Sequence, residues 1–158
     1  MQKGLLLNKK GTKLIWAVPA KNKITVPDSV TSIADNALKA GKATSVYLGK
    51  KVKMIGKDAI AGKKITKVSI AKKNKSIAKQ GQCVYEKKSG KLLIAIAKKN
   101  VVKIGNKVKL ISEDASLCGS RQLKKLDIGA SVKTLQGAWG EFYRAGYVTT
   151  KVYFRSKN

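Results

Sequence analysis

The sequence predicts an α/β, β-rich repeat solenoid with short helical turns, β-hairpin insertions and a C-terminal cap, and three observations carry that prediction. One phrase recurs: VPDSVTSI at 26–33, LGKKVKMI at 48–55, IGNKVKLI at 104–111 and IGASVKTL at 128–135. An offset of 78 residues then carries Leu14 onto Leu92, Ala17 onto Ala95, Val30 onto Val108, Ile33 onto Ile111 and Ala37 onto Ala115. Short segments between the phrases alternate apolar and polar residues, as a strand with one buried face does. Val26, Leu48 and Ile70 are 22 residues apart. A unit that short cannot bury its own apolar side chains, so neighbours must stack, Val on Val and Ile on Ile, in continuous columns.

The elements follow in chain order. Leu5 to Val18 holds two apolar segments joined by a polar turn with Gly11, which predicts a β-hairpin. Val46 to Leu48 and Val68 to Ile70 predict strands, and with Leu126 to Ile128 and Val152 to Phe154 they are expected to form one parallel sheet. After each phrase come a small residue (Ala37, Ala59, Ala115, Ala138) and a glycine (Gly41, Gly62, Gly119, Gly146). The Ala-rich stretch Asp35 to Ala40 is expected to make a single helical turn. Cys83 to Ile96 predicts a second hairpin around Gly90. Near the end, Trp139, Phe142 and Tyr143 share one helical face, so a helix is expected from Gln136 to Ala145 as part of an atypical cap.

A chain of 158 residues, 43% of them hydrophobic, supports one domain over 1–158, built of two related halves at about 1–78 and 79–158. Lys and Arg number 35 against 8 Asp and Glu, a net charge of +27. Any anionic surface attracts such a chain at low salt. All but Arg121, Arg144 and Arg155 of these cations are lysine, and they run through the whole chain. A dedicated nucleic-acid footprint gathers its charge and favours the bidentate fork of Arg, so nucleic acid is disfavoured as a partner. No apolar run reaches the ~18 residues that cross a bilayer, so no membrane insertion is expected.

The phrase ITVPDSVTSIADNAL at 24–38 resembles the unit of the BspA-type leucine-rich repeats, in which IPxSVTSIGxxAF recurs. The segment VYEKKSGKLLIAI at 84–96 is similar to the hairpins that interrupt those arrays, and the resemblance runs from Leu5 to Phe154. Where that family has Phe, this chain has Leu38, Ile60, Ser116 or Trp139. The resemblance implies a right-handed leucine-rich-repeat solenoid in a bacterial surface or secreted protein, of a kind associated with adhesion to host proteins or cells.

The chemistry of catalysis is not expected here. There is no histidine, and the carboxylates are scattered; Asp35 and Glu113 occupy equivalent repeat positions, which suits turn residues better than a catalytic pair. Ser76 and Lys79 match the S-x-x-K spacing of serine acyl-transfer enzymes, but the partner motifs of those enzymes are missing. Gly41 to Thr44 lacks the upstream glycine of a phosphate loop, and Glu113 with Asp114 is too small a set for calcium. Cys83 and Cys118 have no C-x-x-C spacing and read as small core residues, a single disulfide being the alternative in an oxidising compartment. No catalytic residue, metal site or cofactor is expected.

Function is expected on the outward face of the sheet, where Ser45, Lys67, Lys125 and Lys151 form one column and Tyr47, Ser69, Asp127 and Tyr153 the other. Tyr47, Lys67, Lys125, Asp127, Lys151 and Tyr153 are the candidate ligand-binding residues. The expected role is an extracellular or cell-surface adhesion module for a host or cell-surface protein. The alternatives are electrostatic attachment to an anionic polymer (cell-wall teichoic acid, glycosaminoglycan or nucleic acid) and a structural spacer within a larger surface protein.

Overall fold

The computed structural model describes residues 4–18, 22–38, 42–61, 64–120, 123–137 and 151–155. A hairpin of β1 (Leu5–Leu7) and β2 (Lys13–Ala17) opens it, followed by β3 (Lys23–Thr25), β4 (Ser32–Ile33), β5 (Ser45–Leu48), β6 (Met54–Ile55) and β7 (Lys67–Ile70). An antiparallel meander of β8 (Ile77–Gln80), β9 (Cys83–Glu86) and β10 (Leu92–Ile96) interrupts the rungs. They resume with β11 (Val101–Lys103), β12 (Leu110–Ser112), β13 (Ser116–Cys118), β14 (Lys125–Ile128), β15 (Thr134–Gln136) and β16 (Lys151–Phe154).

The molecule is a β-solenoid whose rungs pair in parallel. The first long side carries β3-β5-β7, with Ile24, Val46 and Val68 in register, and the same side resumes as β11-β14-β16, with Val102, Leu126 and Val152 in register. The second side carries β2-β4-β6, with Leu14, Ile33 and Ile55 in register, and later β12-β15, with Ile111 opposite Leu135. The two hairpins share one register at the offset of 78: Leu5 faces Ala17 as Cys83 faces Ala95, and Leu7 faces Leu14 as Tyr85 faces Leu92.

The recurring phrase is a strand end, a turn and a short strand. Its turn closes with one repeated main-chain bond, from Val30 to Pro27, Val52 to Gly49, Val108 to Gly105 and Val132 to Gly129. Val26, Leu48 and Ile104 are completely buried, as are Val30, Val52 and Val108. Stacked rungs leave no room at Gly49 and Gly129, where an added Cβ would lie 2.5 Å from the Pro27 carbonyl oxygen and 2.7 Å from that of Ile104. Burying a Val or Ile contributes roughly 1.5 to 3 kcal/mol, so these columns, not the surface lysines, hold the stack together.

Three expectations need correction. No helix occurs among the described residues, so the described fold is all-β and not α/β. Asp35 to Leu38 is a tight turn, with Ala37 N–H bonded to the Ala34 carbonyl, and Asn36 there has φ 56°, as Asp58 has φ 50° one rung later. That left-handed step, which Asn and Asp tolerate best, ends any helical path. The expected parallel sheet is two sheets, split where the meander enters. The expected helix from Gln136 begins on a residue that ends β15, and its continuation through 138–150 lies outside the described residues.

Candidate functional site

On the outward face, the parallel register sets side chains at one rung's spacing. Lys23, Ser45 and Lys67 form one column of the first sheet and Thr25, Tyr47 and Ser69 the next. In the second sheet the columns are Val101, Lys125, Lys151 and Lys103, Asp127, Tyr153. The structure therefore brings Tyr47 close to Lys67, and Lys125, Asp127, Lys151 and Tyr153 close to one another, but in two groups on two sheets. The sequence reading missed Lys23 and Thr25, although each stands 22 residues before a residue it had placed in a column.

Each of the two tyrosines on this face has a lysine near its ring. Lys125 Nζ lies 4.4 Å from the centroid of the Tyr153 ring, and Lys23 Nζ lies 6.0 Å from that of Tyr47, within the range where a ring quadrupole attracts an ammonium. Asp127 is not an open acceptor: the Arg155 guanidinium reaches its carboxylate at 2.6 Å, and the Asp127 side chain is only 15% exposed.

The other described carboxylates also serve the fold. Asp28 accepts the Lys50 N–H at 2.8 Å and Asp35 the Lys57 N–H at 2.9 Å, each from the matching turn of the next rung. Glu113 pairs with Lys57 at 3.2 Å and Asp114 with Lys91 at 2.7 Å. The hydrogen bond from Lys91 holds the Asp114 carboxyl below its ordinary range. Glu86 accepts from the Ser89 hydroxyl, and Asp58 is buried. These contacts explain why Asp35 and Glu113 recur at one position: each ties one rung to another.

Lys79 does not serve Ser76. Its ammonium donates to the Val68 carbonyl at 2.9 Å, while the Ser76 N–H donates to Asn74 Oδ1. Cys83 and Cys118 are free and buried, and burial pushes both thiols up, which leaves them protonated and unreactive. Among the described residues no cluster of His, Cys, Asp or Glu is arranged to hold a metal ion, and no helix is long and apolar enough to cross a membrane.

The junction between the two parallel sheets is built from side chains that sequence patterning did not single out. Gln82 takes the place of a strand at the edge of β11: its Nε2 donates to the Val101 carbonyl at 2.7 Å and its Oε1 accepts the Lys103 N–H at 2.9 Å. Gln80 does the same for the neighbouring turn, accepting the Lys107 N–H at 3.2 Å. Asn74 stands where the other phrases have Val. Buried at 3% exposure, it donates to the carbonyls of Gly49 and Val52, both at 2.9 Å, and accepts the N–H groups of Ser76 and Ile77 at 2.9 and 3.0 Å. The signal for it was available in IAKKNKSI at 70–77, a fifth copy of the phrase with Asn in the Val column.

With rung, phrase and hairpin register established, the comparison with known families is decisive for the matched stretch: residues 20–91 match the family model of the BspA type leucine rich repeat region in six copies. Residues 20–91 are a BspA-type leucine-rich-repeat region. Among solved structures, the chain is similar to a leucine rich cell surface protein from Faecalibacterium prausnitzii, with a TM-score of 0.53 at 23% identity over 70% of this chain. That likeness is one of fold, and this chain spans 30% of that protein's crystallised chain. No curated protein matches the chain significantly. The matched residues hold the whole first parallel sheet of BspA-type rungs and the meander up to Lys91; the second sheet repeats their register.

Proposed function

We propose that this chain is a single, right-handed BspA-type solenoid domain that acts without catalysis as an extracellular, cell-surface binding module, presenting its parallel-sheet face to a host or cell-surface protein. One observation carries the reading. Asp28, Asp35, Glu113, Asp114 and Asp127 are each engaged by a residue of another segment, so the outward columns offer tyrosine rings, lysine ammoniums and small hydroxyls on a backbone fixed by register. Tyr47, Lys67, Lys125, Lys151 and Tyr153 are the contact residues, with Asp127 orienting Arg155 beside them. Tyr is favoured at contact surfaces because a rigid ring gives area and a polar tip at small entropic loss. The cell-surface setting is supported by the repeat family and by the name of the structurally similar protein.

The test is a binding screen of the full chain against host matrix proteins and anionic polysaccharides at ~50 and ~300 mM salt, over which charge attraction is screened but buried contacts persist. Binding to a protein that survives the higher salt and is lost in Y47A or Y153A supports the reading. The net charge of +27 favours one second reading, attachment to an anionic polymer. Binding confined to polyanions and abolished by salt would replace the first reading with that one. An absence of binding to either class would leave the spacer role.

A further inference from the structure

The meander seals the two sheet edges at the junction unequally. The β11 edge is closed by Gln82. The β7 edge borders a cleft of about 420 Å3, lined by Lys67, Lys72, Lys79 and Lys87 together with Asn74 and Ile77.

One wall of this cleft is strand backbone. Lys67 and Ala71 send their N–H groups to the Thr44 and Leu48 carbonyls of the preceding rung, at 3.2 and 2.9 Å. Strand alternation therefore turns the main chain of Val68 and Ile70 to the opposite side. The Val68 carbonyl meets Lys79 there, but no described strand pairs with β7 on that side, and Ile70 is half-buried.

The other wall is cationic. Lys79 and Lys87 are each anchored by a single carbonyl, that of Val68 at 2.9 Å and that of Asn74 at 2.7 Å, and an ammonium has three donors. No Asp or Glu lines the cleft, and none of its four lysines forms an ion pair among the described residues. Burial, then the nearby ammoniums of Lys98 and Lys67, lowers the proton affinity of Lys79. This is a partly desolvated positive site without a counter-ion, beside an unpaired strand edge.

We propose that this cleft binds an extended acidic peptide, with a carboxylate on Lys79 and Lys87 and its main chain against the Ile70 edge of β7. Charge selects the acidic side chain, and the strand edge selects a peptide over a simple anion, because it supplies directional main-chain groups to pair with. The site shares Lys67 and Ser69 with the sheet-face columns and does not depend on the Tyr47 and Tyr153 rings.

The experiment is fluorescence polarisation of a labelled short peptide of alternating Glu and Val, titrated with the full chain at ~150 mM salt. Saturable 1:1 binding is expected, weakened at least ~10-fold in K79Q/K87Q and unchanged in Y47A/Y153A. N-methylation of the central peptide nitrogens is expected to weaken binding to the unaltered protein to a similar extent, and this arm is immune to any folding defect of the variant. Equal affinity for the N-methylated peptide would reduce the site to charge attraction and overturn the proposal, as would unchanged binding by a folded K79Q/K87Q protein. Loss in Y47A/Y153A with retention in K79Q/K87Q would also overturn it, and would assign the peptide to the sheet face.

Discussion

Replacing Asn74 by alanine removes four hydrogen bonds at once, in a place where water cannot readily replace them. The side chain donates to two carbonyls of the rung below it and accepts two N–H groups of the chain leaving for β8, and it is 3% exposed. At about 1 kcal/mol net for each bond, N74A is expected to destabilise the protein by about 4 kcal/mol. With a urea dependence of about 2 kcal/mol per molar, that lowers the unfolding midpoint by about 2 M. N74V is the sharper control, since the equivalent residues are Val30, Val52, Val108 and Val132. It restores the apolar volume but leaves the Val52 carbonyl without a donor and the Gly49 carbonyl with the Val52 N–H alone, and is expected to remain at least ~2 kcal/mol below the parent. N74D keeps the two accepted bonds but sets a second oxygen against both carbonyls. Its protonated form, which can donate, is favoured in the fold, so the folded pKa is raised. The stability this protects is fully present below the unfolded value of about 3.9 and is lost as pH rises through the folded pKa. The N74D deficit should therefore shrink on acidification, whereas that of N74V should not. Urea denaturation followed by circular dichroism reads all three. N74A and N74V both within ~1 kcal/mol of the parent would refute the assignment of Asn74 as the bonded end of the first array.

Burial separates three apolar-to-acid substitutions: I33D and I111D place an unpaired charge at positions 2% and 3% exposed and are expected to unfold the chain, whereas I55D, at a half-buried position, retains a cooperative melt. A native-like thermal melt of I33D would contradict the column assignment. G49A, whose Cβ would lie 2.5 Å from a main-chain oxygen, should lose about 2–3 kcal/mol. G11A, with φ +65° in open space, should lose about 1 kcal/mol by chemical denaturation. Neither Cys83 nor Cys118 should react with a disulfide reagent at pH 8 until denaturant is added, and labelling in the native state would show that the stack opens around them. Asp114, held below its ordinary 3.8 by Lys91, contributes stability that is present above 3.8 and lost as pH falls through its folded value. D114N should thus reduce stability at pH 7 by no more than about 1 kcal/mol, the upper end for an exposed pair, and the difference should fade below pH 3.8.

The parts of the fold that were legible are those the sequence states more than once. Columns such as Val30, Val52 and Val108 must be apolar because each faces the same residue of the next rung, and that repetition is visible as the phrase itself. The hairpins were legible because Gly11 and Gly90 break polar turns between apolar segments. What escaped is what happens once. The meander divides the expected sheet in two, and Gln82 closes the β11 edge it leaves by two hydrogen bonds that have no periodic trace. Helical turns were expected at Asp35 to Ala40 because alanine is the best helix former. Ala37 and Ala59 instead lie fully buried in the stack, on tight turns and not on helices, so the same composition has a different cause. Of the candidate site, the strand alternation correctly separated Tyr47 from the buried Val46, but in β16 it fails, since Val152 and Phe154 are exposed as Tyr153 is. The partners on that face, Lys23 diagonal to Tyr47 and Arg155 on Asp127, depend on register and turn geometry, which the alternation alone does not give.

The same geometry accounts for a lysine excess that composition alone leaves puzzling. In a stacked solenoid the inward columns are shared between rungs, so their identity is constrained; each outward position answers only to solvent and to its immediate neighbours in the column. A lysine there buries no charge, and its methylene stem covers apolar surface. The few carboxylates, by contrast, sit where a fixed acceptor is needed: Asp28 and Asp35 take an N–H from the next rung, and Asp127 holds Arg155. Acidic residues are thus used as internal fastenings and basic ones as the exterior. Among the described residues only Lys50, Lys57, Lys91 and Arg155 form ion pairs, so that whatever docks on the sheet face or at the β7 edge meets ammoniums without a carboxylate partner. In both proposals specificity comes from what charge cannot supply: the Tyr47 and Tyr153 rings on the face, and the main-chain groups of Ile70 at the edge.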